Sequence, residues 1–293
     1  MSIPQNNAES TQSFRLIQVQ PLLGSFGAEI SGVDLKQPFS EDMIDEIRRA
    51  WLQHCLIVFR DQQISPADQL AFAQQLGEVD TYPFVKPLPG FPGVIPIIKE
   101  PENRVNFGGG WHSDTSYQEK PPMATLLYGI DVPDVGGDTL FANMYLAYNA
   151  LSPGMRQIVD GLRGLFSSQK VHGEQGYYKN VQHAMEKQTD SQLLGEQFTH
   201  PIARTHPETG KKCLYLSPPH ILRFRQMKQD ESDILLNYLA AFSVRAEFTT
   251  RLKWYKGTLA IWDNRCMQHF ALNDYPGHRR EMNRITLKGD KPF

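Results

Sequence analysis

The run Thr258-Leu-Ala-Ile-Trp262, then Asp263-Asn264-Arg265, His269, a turn at 273–277 and the segment Arg280-Glu-Met-Asn-Arg284 decide how the chain is read. Residues 258–262 are a continuous apolar run of strand length, as expected of a buried strand. Residues 280–287 read as a second strand, in which Arg280, Met282 and Arg284 share one side against Glu281 and Asn283. At about 3.3 Å per residue the Cα atoms of the two arginines lie roughly 13 Å apart, enough to serve two different anions in one cavity. Taken singly, each arginine reads better as half of a surface ion pair.

Working outward, the elements before this segment are short. Residues 27–35 read as a strand and turn, and Ser40 caps a helix with Ile44, Ile47 and Trp51 on one face. Residues 56–59 are apolar throughout, as in a buried strand. Ser65, Pro66, Asp68 and Gly77 frame a second helix by its N-cap, first turn, capping box and stop. Residues 82–110, rich in proline and glycine, predict an irregular binding loop with one strand at 94–98. A strand follows at 126–130 and a turn at 134–138 ahead of Thr139; residues 144–164 read as helical with a break at Ser152-Pro153-Gly154, and 230–243 as another helix. Residues 165–200 are polar and weakly patterned, and are expected to form a lid insertion. Short strands around an irregular middle, with helices concentrated early, predict an α+β fold on a jelly-roll (double-stranded β-helix) core with flanking helices.

The 293 residues carry a net charge of −2, with 40% hydrophobic and 21% charged residues. That balance is expected of a soluble globular protein and gives no basic run for nucleic acid or an anionic membrane. The apolar runs are too short to span a bilayer. Residues 1–12 are polar and lack the start of a signal peptide, so a flexible tail followed by one domain over 13–293 is expected. Cys55, Cys213 and Cys266 have no CxxC spacing, which argues against structural zinc and disulfides and for a reducing cytoplasm. A homo-oligomer is expected.

His112 and Asp114 are two apart, so in an extended segment their side chains point the same way. With His269, two imidazoles and one carboxylate could hold a ferrous ion on one face and leave its other positions open. Gly108-Gly109-Gly110-Trp111 brings backbone close to the pair, and His269 is placed at the end of a predicted strand. Yet His172-Gly-Glu174 and His206-Pro-Glu208 have the same His-x-acid form, and a lone pair of this kind is more often a solvated loop.

Taken together, His112-Ser-Asp114, Gly136-Gly137-Asp138-Thr139, Trp262 through His269, and Arg279-Arg280 with Arg284 resemble the taurine dioxygenase/TfdA family. The segment 27–35, the ending Gly289-Asp-Lys-Pro-Phe293 and the length extend the resemblance over nearly the whole chain. It implies an iron(II)- and 2-oxoglutarate-dependent dioxygenase that uses O2, with His112, Asp114 and His269 as iron ligands and catalytic centre. It further implies that Thr139 and Arg280 bind the distal carboxylate of 2-oxoglutarate, that Arg284 pairs with the acidic group of the primary substrate, and that Trp262 lines the iron site. Trp262 reads equally well as a core aromatic. Asp114, where related halogenases have alanine or glycine, implies hydroxylation; release of succinate and CO2 accompanies it. A hydroxylated carbon bearing sulfonate, sulfate or aryl ether oxygen would then collapse to a carbonyl and release the anion.

This chain departs from taurine-specific members at two places. Tyr82-Pro83-Phe84-Val85 stands where they have His-Pro-x-Tyr, and Gly108 where they have asparagine. Tyr82, Val85 and Gly108 are therefore expected to line a less polar and roomier pocket, for a small anionic sulfonate, sulfate ester, carboxylate or aryloxyalkanoate in preference to taurine. The competing expectation is that His172 restores the missing polar contact. Two other functions remain on the same ligands: a non-catalytic jelly-roll metal sensor, and a metal-dependent hydrolase.

Overall fold

The computed structural model describes residues 14–22, 24–178 and 191–293. The expected tail at 1–12 and the middle of the expected lid, 179–190, lie outside the described residues. In chain order the strands are β1 (Gln18–Pro21), β2 (Ala28–Ser31), β3 (Leu56–Phe59), β4 (Ile95–Lys99), β5 (Ala124–Asp131), β6 (Thr139–Asn143), β7 (Arg163–Phe166) and β8 (Phe198–Pro201). They continue as β9 (Ala203–Thr205), β10 (Lys212–Leu214), β11 (Ile221–Phe224), β12 (Thr249–Leu252), β13 (Leu259–Asp263), β14 (Met267–Ala271) and β15 (Arg280–Leu287). Helices α1 (Glu41–His54), α2 (Pro66–Leu76), α3 (Met144–Ala150), α4 (Pro153–Gly161), α5 (Gln169–His172), α6 (Ser191–Gly195) and α7 (Gln229–Ser243) flank them. None of these is long and apolar enough to cross a membrane.

A seven-stranded sheet, ordered β1-β2-β3-β13-β5-β15-β4, is the main layer, and β12-β6-β14 form a smaller antiparallel sheet. Period-two alternation assigns the main sheet's faces. Ile57, Phe59, Leu126, Leu259, Ile261 and Ile285 pack with Ile47, Trp51 and Phe72 of α1 and α2. From the opposite face Leu56, Val58, Leu127, Ala260, Trp262 and Met282 meet Phe141 and Met267 of the smaller sheet. Because both faces are covered, β3 and β13 are buried along their whole length, which is why they read as continuous apolar runs.

The helix starts follow local chemistry. Ser65 accepts from the Asp68 amide while Asp68 accepts from the Ser65 amide, closing a capping box over Pro66, and Gly77 ends the helix. At the starts of α1 and α4 the Ser40 and Ser152 hydroxyls accept from the Met43 and Met155 amides. Three expectations need correction. The helical reading of 144–164 ends at Gly161, and Arg163–Phe166 is a strand paired with β8 and β11. His269 does not end the preceding strand but sits mid-way along a strand of its own, β14. The extended segment expected through Asp114 stops short of it, because Asp114 opens a turn and Thr115 is left-handed at φ 41°. That conformation is costly for a β-branched side chain.

A buried ion-pair network pins the β13–β14 turn. Arg265 donates through Nε and Nη2 to the two oxygens of Asp263 at 2.8 and 2.6 Å, and through Nη1 to Glu208 at 2.6 Å. His206 Nε2 lies 3.0 Å from the same carboxylate, and Arg48 completes the chain to Glu208 at 2.8 Å. Burial alone would raise the Asp263 carboxyl, but the neighbouring guanidinium holds it well below the usual range. Asp263→Ala leaves Arg265 charged and only 2% exposed, so it is expected to cost about 3–5 kcal/mol of unfolding free energy, measured by urea titration.

Candidate metal and anion site

His112, Asp114 and His269 come together although His269, on β14, lies more than 150 residues along the chain from the His112–Asp114 segment. His112 and His269 are joined as an isolated antiparallel bridge, with His112 N donating to His269 O at 3.1 Å and His269 N to His112 O at 2.8 Å. Their rings lie 4.1 Å apart, centroid to centroid. His112 Nε2 stands 3.8 Å from one Asp114 oxygen and His269 Nε2 stands 3.9 Å from the other. The three ligand atoms fall within 4.8 Å of one another, a span that one ion can reach on a single face. Because the Gly110 carbonyl can only accept, the 2.7 Å contact to His112 Nδ1 places the proton there and leaves Nε2 as a lone pair facing Asp114. Burial, reinforced by His112, pushes His269 down to about 3, which keeps it neutral and able to ligate. Burial would raise Asp114, whereas Arg284 and then the two imidazoles hold it ionised, well below the usual carboxylate range.

Gly108 meets this centre closely. It is left-handed at φ 79°, and a Cβ there would stand 3.3 Å from His112 Cε1. Glycine therefore suits both the left-handed backbone and the close imidazole, and not only the shape of the pocket. Its amide donates to the Tyr178 hydroxyl at 2.8 Å.

The two arginines of β15 keep an unbroken register with β4, Arg280 opposite Lys99 and Arg284 opposite Ile95, so both point to one side as alternation requires. Each is 5% exposed, and on each the Nε and Nη2 protons have no protein partner among the described residues. Buried guanidinium protons aimed at nothing in the protein fit an anion. Arg284 also lies 3.5 Å from Asp114 and 4.3 Å over the Tyr82 ring. Arg280 sits beside the Gly136–Gly137 turn, where a Cβ on Gly137 would lie 3.4 Å from Arg280 Cδ. Thr139 joins it through Trp254, whose Nε1 donates to Thr139 Oγ1 at 2.9 Å and whose ring lies 5.8 Å from the Arg280 guanidinium. Having accepted that bond, the Thr139 hydroxyl retains its own proton to give.

A cavity of 520 Å³ opens from this centre, with His112, Asp114, Arg284, Tyr82 and Gly108 in its wall. Val171, Pro218, Pro219, Ala240, Ala241 and Val244 give much of the rest an apolar surface. His269, Thr139 and Arg280 are not among the residues lining it, and neither is Val85, which is buried in the core. Lys170 borders the cavity but donates its ammonium to the Ile221 carbonyl at 2.7 Å. His172 also lines it, stacked on Phe84 with ring centroids 3.8 Å apart. The rival His-x-acid pairs do not make metal sites. Glu174 is exposed, and His206 and Glu208 belong to the Asp263–Arg265 network. Cys266 lies close enough to His206 and Asp263 to form a second ligand-like group, but the Asp263 oxygens are already occupied by Arg265.

Sequence reading missed His220, which lines the cavity with Nδ1 within 2.8 Å of Ser116 Oγ and 3.0 Å of Ser217 Oγ. It also missed Trp254, Tyr117 and Tyr178. None carried a spacing signal.

Residues 18–286 match the taurine catabolism dioxygenase TauD, TfdA family. The chain belongs to this family. Its relatives include an alkylsulfatase of Acinetobacter baylyi, 33% identical, with 94% of this chain and 86% of that protein covered. An alpha-ketoglutarate-dependent sulfate ester dioxygenase of Pseudomonas putida is 31% identical, with 94% and 91% covered. Among solved structures, a taurine dioxygenase from Burkholderia xenovorans superposes with a TM-score of 0.80 at 34% identity, covering 95% of this chain and 91% of that one. The TauD/TfdA fold is the expected α+β jelly roll, and the chain is an oxidoreductase of the dioxygenase class.

Proposed function

We propose that the protein is an iron(II)- and 2-oxoglutarate-dependent dioxygenase that hydroxylates a small anionic organic substrate with an apolar body, a sulfate ester in first place. The observation that carries this reading is the pairing, in one cavity, of the Asp114–Arg284 end with a largely apolar wall. Kinship with a sulfate ester dioxygenase and an alkylsulfatase supports the same class.

His112, Asp114 and His269 would hold the iron, which when bound supplies oxidative decarboxylation of 2-oxoglutarate by O2 and hydroxylation of the substrate. The protein's own residues position the reactants. Arg280 and the Thr139 hydroxyl bind the distal carboxylate of 2-oxoglutarate, Arg280 as a fork. Arg284 takes the sulfate or sulfonate, and Tyr82 under its guanidinium excludes water from that ion pair. The apolar wall holds the carbon body and keeps the reacting C–H dry. Once that carbon carries a hydroxyl and a sulfate ester oxygen, loss of the hydroxyl proton and of sulfate gives the aldehyde. A dedicated dicarboxylate clamp at Arg280 favours this over a metal sensor or a hydrolase, neither of which needs one.

The catalytic unit is a single domain over 13–293. Within the expected lid, Lys170, Val171, His172, Tyr177 and Tyr178 stand at the cavity wall and would cover the bound substrate. A cytoplasmic location accords with three buried, unpaired cysteines. Ile234 and Tyr238, exposed one turn apart on α7, offer a face for a homo-oligomer.

Taurine should be a poor substrate. Among the described residues lining the cavity, Asp114 is taken up by Thr125 and Arg284 and Lys170 is itself cationic, so the ammonium would meet no free carboxylate there, and an unpartnered buried charge is costly. Substrate-dependent succinate release is expected from straight-chain alkyl sulfates and little from taurine. Tightly coupled taurine oxidation with alkyl sulfates inert would overturn the assignment.

A further inference from the structure

Behind Asp114 runs a chain of three hydrogen bonds whose direction is fixed at its far end. Trp262 Nε1, which can only donate, gives its proton to Asn264 Oδ1 at 2.9 Å. That fixes the amide orientation, since the flipped amide would set N–H against N–H. Asn264 Nδ2 therefore faces Thr125 and donates to its hydroxyl oxygen at 2.8 Å. Thr125, having accepted, donates to Asp114 Oδ2 at 2.6 Å, the short distance expected of a bond to an ionised oxygen. Trp262, Asn264 and Thr125 are each no more than 1% exposed, so no water competes for these bonds. The three residues come from the neighbouring strands β5 and β13 and the turn after β13, which the sheet register holds side by side with Trp262 opposite Thr125.

We propose that Trp262, Asn264 and Thr125 form a one-way relay that sets the rotation of the Asp114 carboxylate and so the metal affinity of the centre. They are positioning residues and touch neither metal nor substrate. Without the relay the carboxylate turns about its terminal torsion, which is broad and poorly held by intrinsic preference, and the 3.5 Å contact to Arg284 is the remaining constraint. Arg284 would then draw the carboxylate toward itself and away from the histidines. The indole of Trp262 thereby has a task beyond filling the core, although its ring also packs 4.7 Å from that of His269.

The inference rests on the ligand assignment under Proposed function, and the test separates the two. Mn(II) affinity is measured by calorimetry on the otherwise metal-free protein, with thermal unfolding recorded for each variant. Thr125→Val keeps the shape and removes the hydroxyl; it is expected to weaken Mn(II) by about 10–100-fold, the range for loss of a bond that orients a ligand. Trp262→Phe keeps the ring and removes only the N–H; it is expected to weaken Mn(II) several-fold. In the Thr125→Val background Trp262→Phe should add nothing, since the relay is already cut. Thr125→Ser, which restores the donor, should recover most of the affinity whatever it does to stability. Unchanged affinity in Thr125→Val, or multiplicative losses in the double variant, would refute the relay. Unchanged affinity in Asp114→Ala would instead refute the ligand assignment beneath it.

Discussion

Alanine in place of His269 is expected to yield a folded protein that retains no ferrous iron and forms no succinate. Two remaining ligands do not fix a facial site, so the loss should be complete rather than graded. The fold should survive because the imidazole makes no hydrogen bond through Nδ1 among the described residues, so its removal orphans no protein group. The bridge to His112 is made by backbone and remains. His269→Gln, which better preserves volume, separates loss of the ligand from creation of a cavity. Metal content, Mn(II) calorimetry and far-ultraviolet circular dichroism report the three quantities. Iron content and succinate rate equal to the parent's would refute the triad; His112→Ala and Asp114→Ala are expected to lose iron and turnover likewise, with Asp114→Ala less stable because it leaves Thr125 and the buried Arg284 without their partner.

The second large effect divides the arginines. Arg280→Lys should weaken 2-oxoglutarate and Arg284→Lys the primary substrate, each by about 10–150-fold if one charge-assisted hydrogen bond worth about 1.5–3 kcal/mol is lost. The cross effects should be small, because Arg284 borders the cavity and Arg280 does not. KM for each substrate, determined at saturation of the other, checks this. Equal losses on both substrates from either variant would mean that one space holds both anions.

The parts of the fold legible in sequence are those governed by local chemistry. The capping box at Ser65 and Asp68 and the stop at Gly77 delimit α2 without tertiary information. Continuous apolar runs disclosed β3 and β13, because a strand covered on both faces has no polar side to show. The illegible parts depend on remote partners. In β14, Gln268 is buried against Met144 and His269 faces Asp114, so no alternation survives to mark a strand. Strands β8, β9 and β10 are only three or four residues long, too short for periodicity. Within the site, the ligands and arginines emerged only as an ensemble, since each alone had a plainer explanation. Thr125 did leave a trace that a closer reading could use: a hydroxyl inside the apolar run that becomes β5, where burial requires it to have a partner. Trp254 left none, because its bond to Thr139 spans 115 residues.

The backbone bridge between His112 and His269 has a kinetic implication. Each residue's amide is bonded to the other's carbonyl, so neither histidine can swing out on its own loop without breaking both bonds. Their amides should therefore exchange with deuterium together and late, at a rate set by opening of the surrounding β6–β14 pairing rather than by metal loading. Metal could then leave by rotation of side chains while the scaffold stays closed, and the stripped protein should reload without refolding. An enzyme built this way would tolerate repeated loss and recapture of its metal over its working life.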